Sequence, residues 1–282
     1  MANNDDIEAD HLPPLRDEPD DLPTHPVRIR QVRLRPGLFI GPIILLLAFV
    51  GLLALGGIRR VQSRTDRMVI QGNFSQIIFA VELFHDAHGR FPANTFDANG
   101  QPLLSWRVQL LPYIEGEELY QKFHFDEPWD SPNNRPLLDE MPHIFGSPNA
   151  RSATERENRT FIRAFSTQGA AMERIPLERG QKRPNGRIRL DLGFNEVLDV
   201  RSETIFMIEA GESVEWTKPD DLTWDIGQPI PSLGGDRNTN EFQAAFVDGK
   251  ARTLKKSITP GQLKALITIA GGEPVRIEDL IK

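Results

Sequence analysis

The sequence predicts an α+β fold, in which a long N-terminal transmembrane helix continues into a soluble helix packed on a mainly antiparallel β-sheet. Three observations predict it. Residues 37–58, GLFIGPIILLLAFVGLLALGGI, carry no charged side chain. Downstream, Ile70, Phe74, Ile77, Val81 and Phe84 recur at steps of four and three, the spacing of one helix face. From about residue 159 the chain changes to short β-rich segments separated by turn formers.

The uncharged stretch comes first. As a helix its 22 residues would measure roughly 33 Å, the thickness of a bilayer core. Fourteen of them are Leu, Ile, Val or Phe, which together favour insertion by about 4–8 kcal/mol. Five glycines and Pro42 take back part of that gain. Four arginines precede the stretch (28, 30, 33, 35) and four follow it (59, 60, 64, 67), so charge leaves the topology open. The chain thus divides into a tail over 1–36, a transmembrane helix over 37–58 and a domain over 59–282. The tail is acidic and proline-rich to residue 27, then basic; it lacks the apolar residues needed to offset ordering entropy and reads as disordered.

Nothing between Arg59 and His88 breaks a helix decisively. Gly89 suits the residue after its end, and Pro92 prevents resumption. Asn99-Gly100 marks a turn, and Trp106, Leu110, Leu111 and Ile114 then return at helical spacing despite Pro112. Residues 126–148 read as a long packed loop with one helical turn at PLLDEM. The strand segments are RTFIRAF (159–165), GRIRLDLG (186–193), ETIFMIEA (203–210) and FQAAFVDGKARTL (242–254), the last a hairpin turning at Asp248-Gly249. Residues 178–186 are basic and read as a solvated loop. Thr259-Pro260-Gly261-Gln262 is a capping box with proline at the first helical position; it opens a helix running through QLKALITIA to Gly271.

Composition narrows the chemistry. The net charge of −7 gives no basic footprint for nucleic acid. The absence of cysteine excludes disulfides, thiolate metal sites and a cysteine nucleophile. Phosphate-binding, dinucleotide, zinc-protease and nucleophile-elbow motifs are all missing.

Three clusters remain. His85 and His88 share a helix face three residues apart, but a zinc site needs three or four ligands, and imidazoles in a last turn also answer free carbonyls and the negative end of the helix dipole. Asp126, Glu127, Asp130, Asn133 and Asn134 offer hard oxygen donors for calcium, without the glycine and distal acid of a calcium loop; turn formation is the plainer use of those residues. Glu209, Glu212 and Glu215 beside Trp216 are the pattern of a glycoside hydrolase, which needs two carboxylates flanking one bond. No catalytic, cofactor-binding or metal-binding residue is assigned.

Long blocks carry a family resemblance. NFSQIIFAVELFHDAHGRFPANTFDANGQPLLSWRVQLLPYIEGEELYQKFHFDEPWDSPNNRPLLDEMP, ETIFMIEAGESVEWTKPDDL, LGG and AAFVDGKARTLKKSITPGQLKALITIAGGE follow one another within about residues 68–275. They resemble a planctomycete family of unknown function, the domain of unknown function 1559, which looks like type IV pilins and type II secretion pseudopilins. The resemblance implies a pilin-like architecture. It places residues 1–36 in the cytoplasm and the domain outside the inner (cytoplasmic) membrane. It also implies a structural or interaction role without catalysis, with membrane lipid and envelope or secretion proteins as partners and no nucleic acid. A binding module for polysaccharide or for a calcium-dependent partner is the alternative, and a hydrolase the third. DEPWDSP is similar to the aspartate-proline-tryptophan loop of major pseudopilins. The chain departs from the family pattern at Leu38 and Pro42, where a phenylalanine and the assembly glutamate are usual, and it lacks the family cysteines.

Overall fold

The computed structural model describes residues 37–148, 158–173, 192–235 and 239–281. The acidic and basic tail, the basic loop at 178–186 and nearly all of the strand expected at 186–193 lie outside the described residues. Two compact units emerge, Met1–Ala54 and Leu55–Lys282.

Helix α1 covers Gly37–His88, so the continuous helix expected from Arg59 to His88 is present. The expected transmembrane helix is not found among the described residues, where no helix is long and apolar enough to cross a membrane.

In the second unit the stripe behaves as its periodicity predicts. Ile70, Phe74, Ile77, Val81 and Phe84 are all at most 3% exposed and join one hydrophobic cluster with Phe206, Met207, Ala245 and Trp216. Gly89 ends α1 at φ +70°, its amide donating to the His85 carbonyl at 2.6 Å. That left-handed conformation is open to glycine at no steric cost.

The sheet is an antiparallel meander in the order β1-β2-β3-β4: β1 Arg159–Ala164, β2 Ile205–Glu215, β3 Glu241–Phe246 and β4 Ala251–Lys255. Its two faces separate two clusters with the period of a strand. Phe242, Ala244 and Phe246 join Leu263, Leu266 and Ile267 in one cluster. Ala245 lies in the cluster of α1, and Gln243 accepts a hydrogen bond from Gln71 of α1 at 3.2 Å. In β2 the alternation slips. Phe206 and Met207 both belong to the α1 side because the register shifts between Ile205 and Met207, a bulge that places two consecutive side chains on one face. Both sheet edges are covered, β1 by the Phe165–Leu222 bridge and β4 by the Leu254–Ile281 bridge.

The hairpin turns where expected. Gly249 sits at φ +83°, and the Phe246 amide donates to the Lys250 carbonyl at 3.0 Å. Four-residue helices α2 (Trp106–Gln109) and α3 (Glu117–Tyr120) precede the sheet. Between them Leu111–Tyr113 forms a 3-10 turn with Pro112 near its start, where the missing N–H removes no bond. A second 3-10 helix, Arg135–Glu140, answers the turn expected at PLLDEM.

Helix α4, Pro260–Ile267, opens on the predicted capping box: Thr259 Oγ1 accepts from the Gln262 amide at 3.3 Å, and Gln262 Oε1 accepts from the Thr259 amide at 2.9 Å. It ends four residues before Gly271. Thr268 is already extended and bridges Ala170, and the Ile269 amide donates to the Gly169 carbonyl at 2.9 Å. Partners distant in sequence have taken the groups that would have continued the helix.

Candidate functional site

The three clusters singled out in the sequence are each drawn to separate partners. His85 and His88 have separate partners. His85 Nε2 accepts from the Phe194 amide at 3.4 Å, with its ring edge-on to Phe194; His88 Nε2 lies 3.0 Å from the Tyr113 hydroxyl. Among the described residues, no group of three or more metal-binding side chains comes together. Glu209 is 1% exposed, with Oε2 accepting from the Gln243 amide at 3.4 Å, whereas Glu212 is exposed and Glu215 pairs with Arg159 at 2.7 Å. The three carboxylates of the hydrolase pattern therefore occupy different environments.

The acidic loop is a turn structure built around one amide. Asn134 is fully buried. Its Oδ1 accepts from the His124 amide at 2.9 Å, and its Nδ2 donates to the carbonyls of His124, Glu127 and Pro128 at 2.9, 3.3 and 3.1 Å. A buried amide that meets its donors and acceptors in this way closes the chain on itself. Glu127 accepts from Asn133 Nδ2 at 2.8 and 3.1 Å. Hydrogen bonds from Ser131 and Asn133 hold its carboxyl below the usual range.

This closed loop carries Trp129. The other three tryptophans, Trp106, Trp216 and Trp224, are at most 3% exposed, but Trp129 is only partly buried against the α1 cluster. It lines a groove of about 500 Å³ with Arg135, Asp139, Asn158, Arg159 and Glu215. Each wall is positioned by a different element. Arg135 and Asp139 stand on the 3-10 helix, which is anchored by buried Leu137 and Leu138 and by the Trp216 indole donating to the Leu138 carbonyl at 2.9 Å. Arg159 and Glu215 are register partners at the ends of β1 and β2.

Polar groups converge there. Arg159 Nη1 is 2.7 Å from Glu215 Oε1, Arg159 Nε donates to Ser213 Oγ at 3.0 Å, and Asn158 Nδ2 donates to Asp139 Oδ1 at 3.4 Å. Lys218 Nζ lies 5.8 Å from the Trp129 ring centroid and 3.0 Å from Asp220 Oδ2. The Arg135 amide donates to the Ser131 carbonyl at 2.9 Å, while its guanidinium has no hydrogen bond or ion pair among the described residues. Sequence reasoning missed this groove, because its members come from positions 129–139, 158–159 and 215. The available signal was a tryptophan set among turn formers in DEPWDSP.

Residues 64–268 match a protein family described as a protein of unknown function, DUF1559. The chain belongs to that family. No curated protein and no solved structure matches it. The matched range takes in the α1 stripe, the Trp129 loop, the described sheet and α4.

Proposed function

We propose that this DUF1559 protein is a non-catalytic, pseudopilin-like interaction protein of the cell envelope, held at a membrane surface by its N-terminal apolar residues. The observation that carries the reading is the exposure of those residues. Ile44 is 59% exposed, Leu47 66% and Leu52 68%, with equally open apolar neighbours between them. Moving a Leu or Ile side chain fully out of water is worth about 1.5–3 kcal/mol, and the eight large apolar side chains exposed between Ile44 and Leu53 form a patch that needs a cover. Lipid supplies one without requiring the helix to cross the bilayer. Burial of Glu209 beside exposed Glu212 supports the non-catalytic part, because paired carboxylate chemistry needs both groups at one bond.

The test is sedimentation of the full chain from lysed cells. The protein is expected to pellet with membranes and to be released by detergent, and a Leu47→Asp/Val50→Asp variant is expected to move to the supernatant. Wild-type protein remaining in the supernatant overturns the membrane reading.

A second reading, a binding module for polysaccharide, is favoured by the groove beside Trp129. An aromatic surface ringed by amide, carboxylate and guanidinium groups suits a ligand with one apolar face and a hydroxylated rim.

A further inference from the structure

We infer that the Trp129 groove binds a carboxylate-bearing saccharide, with a sugar ring against the indole and its carboxylate on Arg135. The inference rests on the polysaccharide reading and adds the ligand's charge and the residues that recognise it.

The aromatic surface is the first observation. Three tryptophans are buried and Trp129 is not, although the loop that carries it is closed by the four hydrogen bonds of Asn134. The indole is thus left partly open on a braced support. The C–H face of a pyranose is apolar and matches an indole, while its hydroxyls lie at the edge.

Charge accounting gives the second observation. Arg159 is matched by Glu215 at 2.7 Å, and Lys218 at 3.0 Å shares Asp220 with Arg163 at 2.6 Å. Asp139 accepts from Asn158 at 3.4 Å. Arg135 is exposed and is left without an acid among the described residues. A guanidinium donates in a fork that fits a carboxylate with two parallel bonds. A neutral sugar leaves that fork unused; a uronic acid fills it. Asp139 and Asn158 then remain for hydroxyls, one accepting and one donating.

The experiment titrates the full chain, in detergent micelles, with tetragalacturonate and with cellotetraose as the neutral control, following tryptophan fluorescence and binding heat. Trp129 is the tryptophan open to a ligand, so its emission reports on the groove. Tetragalacturonate is expected to bind saturably and at least tenfold more tightly than cellotetraose. Arg135→Gln, at an exposed position, is expected to erase that preference, bringing tetragalacturonate to the affinity of cellotetraose. Trp129→Ala is expected to remove both.

Equal affinities for the two probes, or an acidic preference that survives Arg135→Gln, overturns the inference and leaves the polysaccharide reading standing. Binding of neither probe overturns both. Membrane sedimentation of the Arg135→Gln variant reads the envelope role separately.

Discussion

Arg107 and Asp221 face each other at 3.9 Å with side chains 0% and 1% exposed. Each is satisfied from more than one direction. Arg107 donates through Nε to the Ile162 carbonyl at 3.1 Å, through Nη2 to the same oxygen, and through Nη1 to Ser105 Oγ at 2.7 Å. Asp221 accepts from Trp106 Nε1 at 3.2 Å, Asn94 Nδ2 at 2.6 Å and the Ala164 amide at 3.2 Å. Burial pulls the guanidinium down to a pKa of about 10 against the pull of Asp221, which leaves it charged at neutral pH. The pair ties α2 to β1 and to the segment after β2.

Replacing Arg107 with methionine keeps much of the volume and leaves Asp221 as a buried charge without its cation. The expected loss is about 3–5 kcal/mol of unfolding free energy, read by chemical denaturation of the full chain in detergent. A loss below about 1 kcal/mol, the range of an exposed pair, removes the pair from the list of determinants of this fold.

Ile77 is fully buried in the α1 cluster. An aspartate there has no partner to offset its desolvation, a cost of several kcal/mol and comparable to the whole stability of a domain. Ile77→Asp is expected to abolish cooperative thermal unfolding of the second unit. An unchanged melting curve refutes the role assigned to the stripe.

Gly211 sits where β2 leaves its register with β1, and its amide donates to the Ser232 carbonyl at 2.6 Å. A Cβ added there would lie 2.0 Å from Ser232 Oγ and 2.7 Å from its backbone carbonyl carbon. The hydroxyl can turn away; the backbone atom cannot. Gly211→Ala is expected to cost about 1–3 kcal/mol. Adding Ser232→Ala should recover only part of that in a denaturation series.

Asp248 and Arg252 flank the hairpin turn, with hydrogen bonds of 2.9 and 2.6 Å to the two carboxylate oxygens. Burial pushes the Asp248 carboxyl up. The Arg252 hydrogen bonds, the Lys250 amide and the charges of both residues outweigh it, so the folded-state pKa lies below the ordinary 3.8. Between the folded and unfolded values the unfolded chain binds more protons. The stabilisation is therefore complete above about pH 4 and is lost as the pH falls through the folded value. Arg252→Gln is expected to flatten the fall in stability below pH 4, measured by denaturation at a series of pH values. An unaltered slope counts against the assignment.

Particular elements show what was readable. The stripe from Ile70 to Phe84, the Asp248-Gly249 turn and the Thr259 capping box each lie within a few residues of their own cause, and each appears as its pattern predicts. The end of α4 does not, because Gly169 and Ala170, nearly a hundred positions earlier, take over the backbone at Thr268 and Ile269. The bulge at Phe206 and the burial of Arg107 likewise depend on partners remote in sequence. The membrane-crossing helix expected over 37–58 is the clearest correction, since among the described residues no helix is long and apolar enough to cross a membrane.

The sequence by itself determined the α+β class, the face of α1 that meets the sheet, the hairpin and the start of α4. Periodicity, capping and turn chemistry act over one or two turns of chain and need no distant partner. Only the tertiary structure decided that the acids of residues 126–134 serve a closed loop, that Glu209 is buried away from Glu212, and that Trp129 shares a groove with Arg135, Arg159 and Glu215. Those outcomes come from packing segments dozens of residues apart, where burial and the matching of charges select the neighbours.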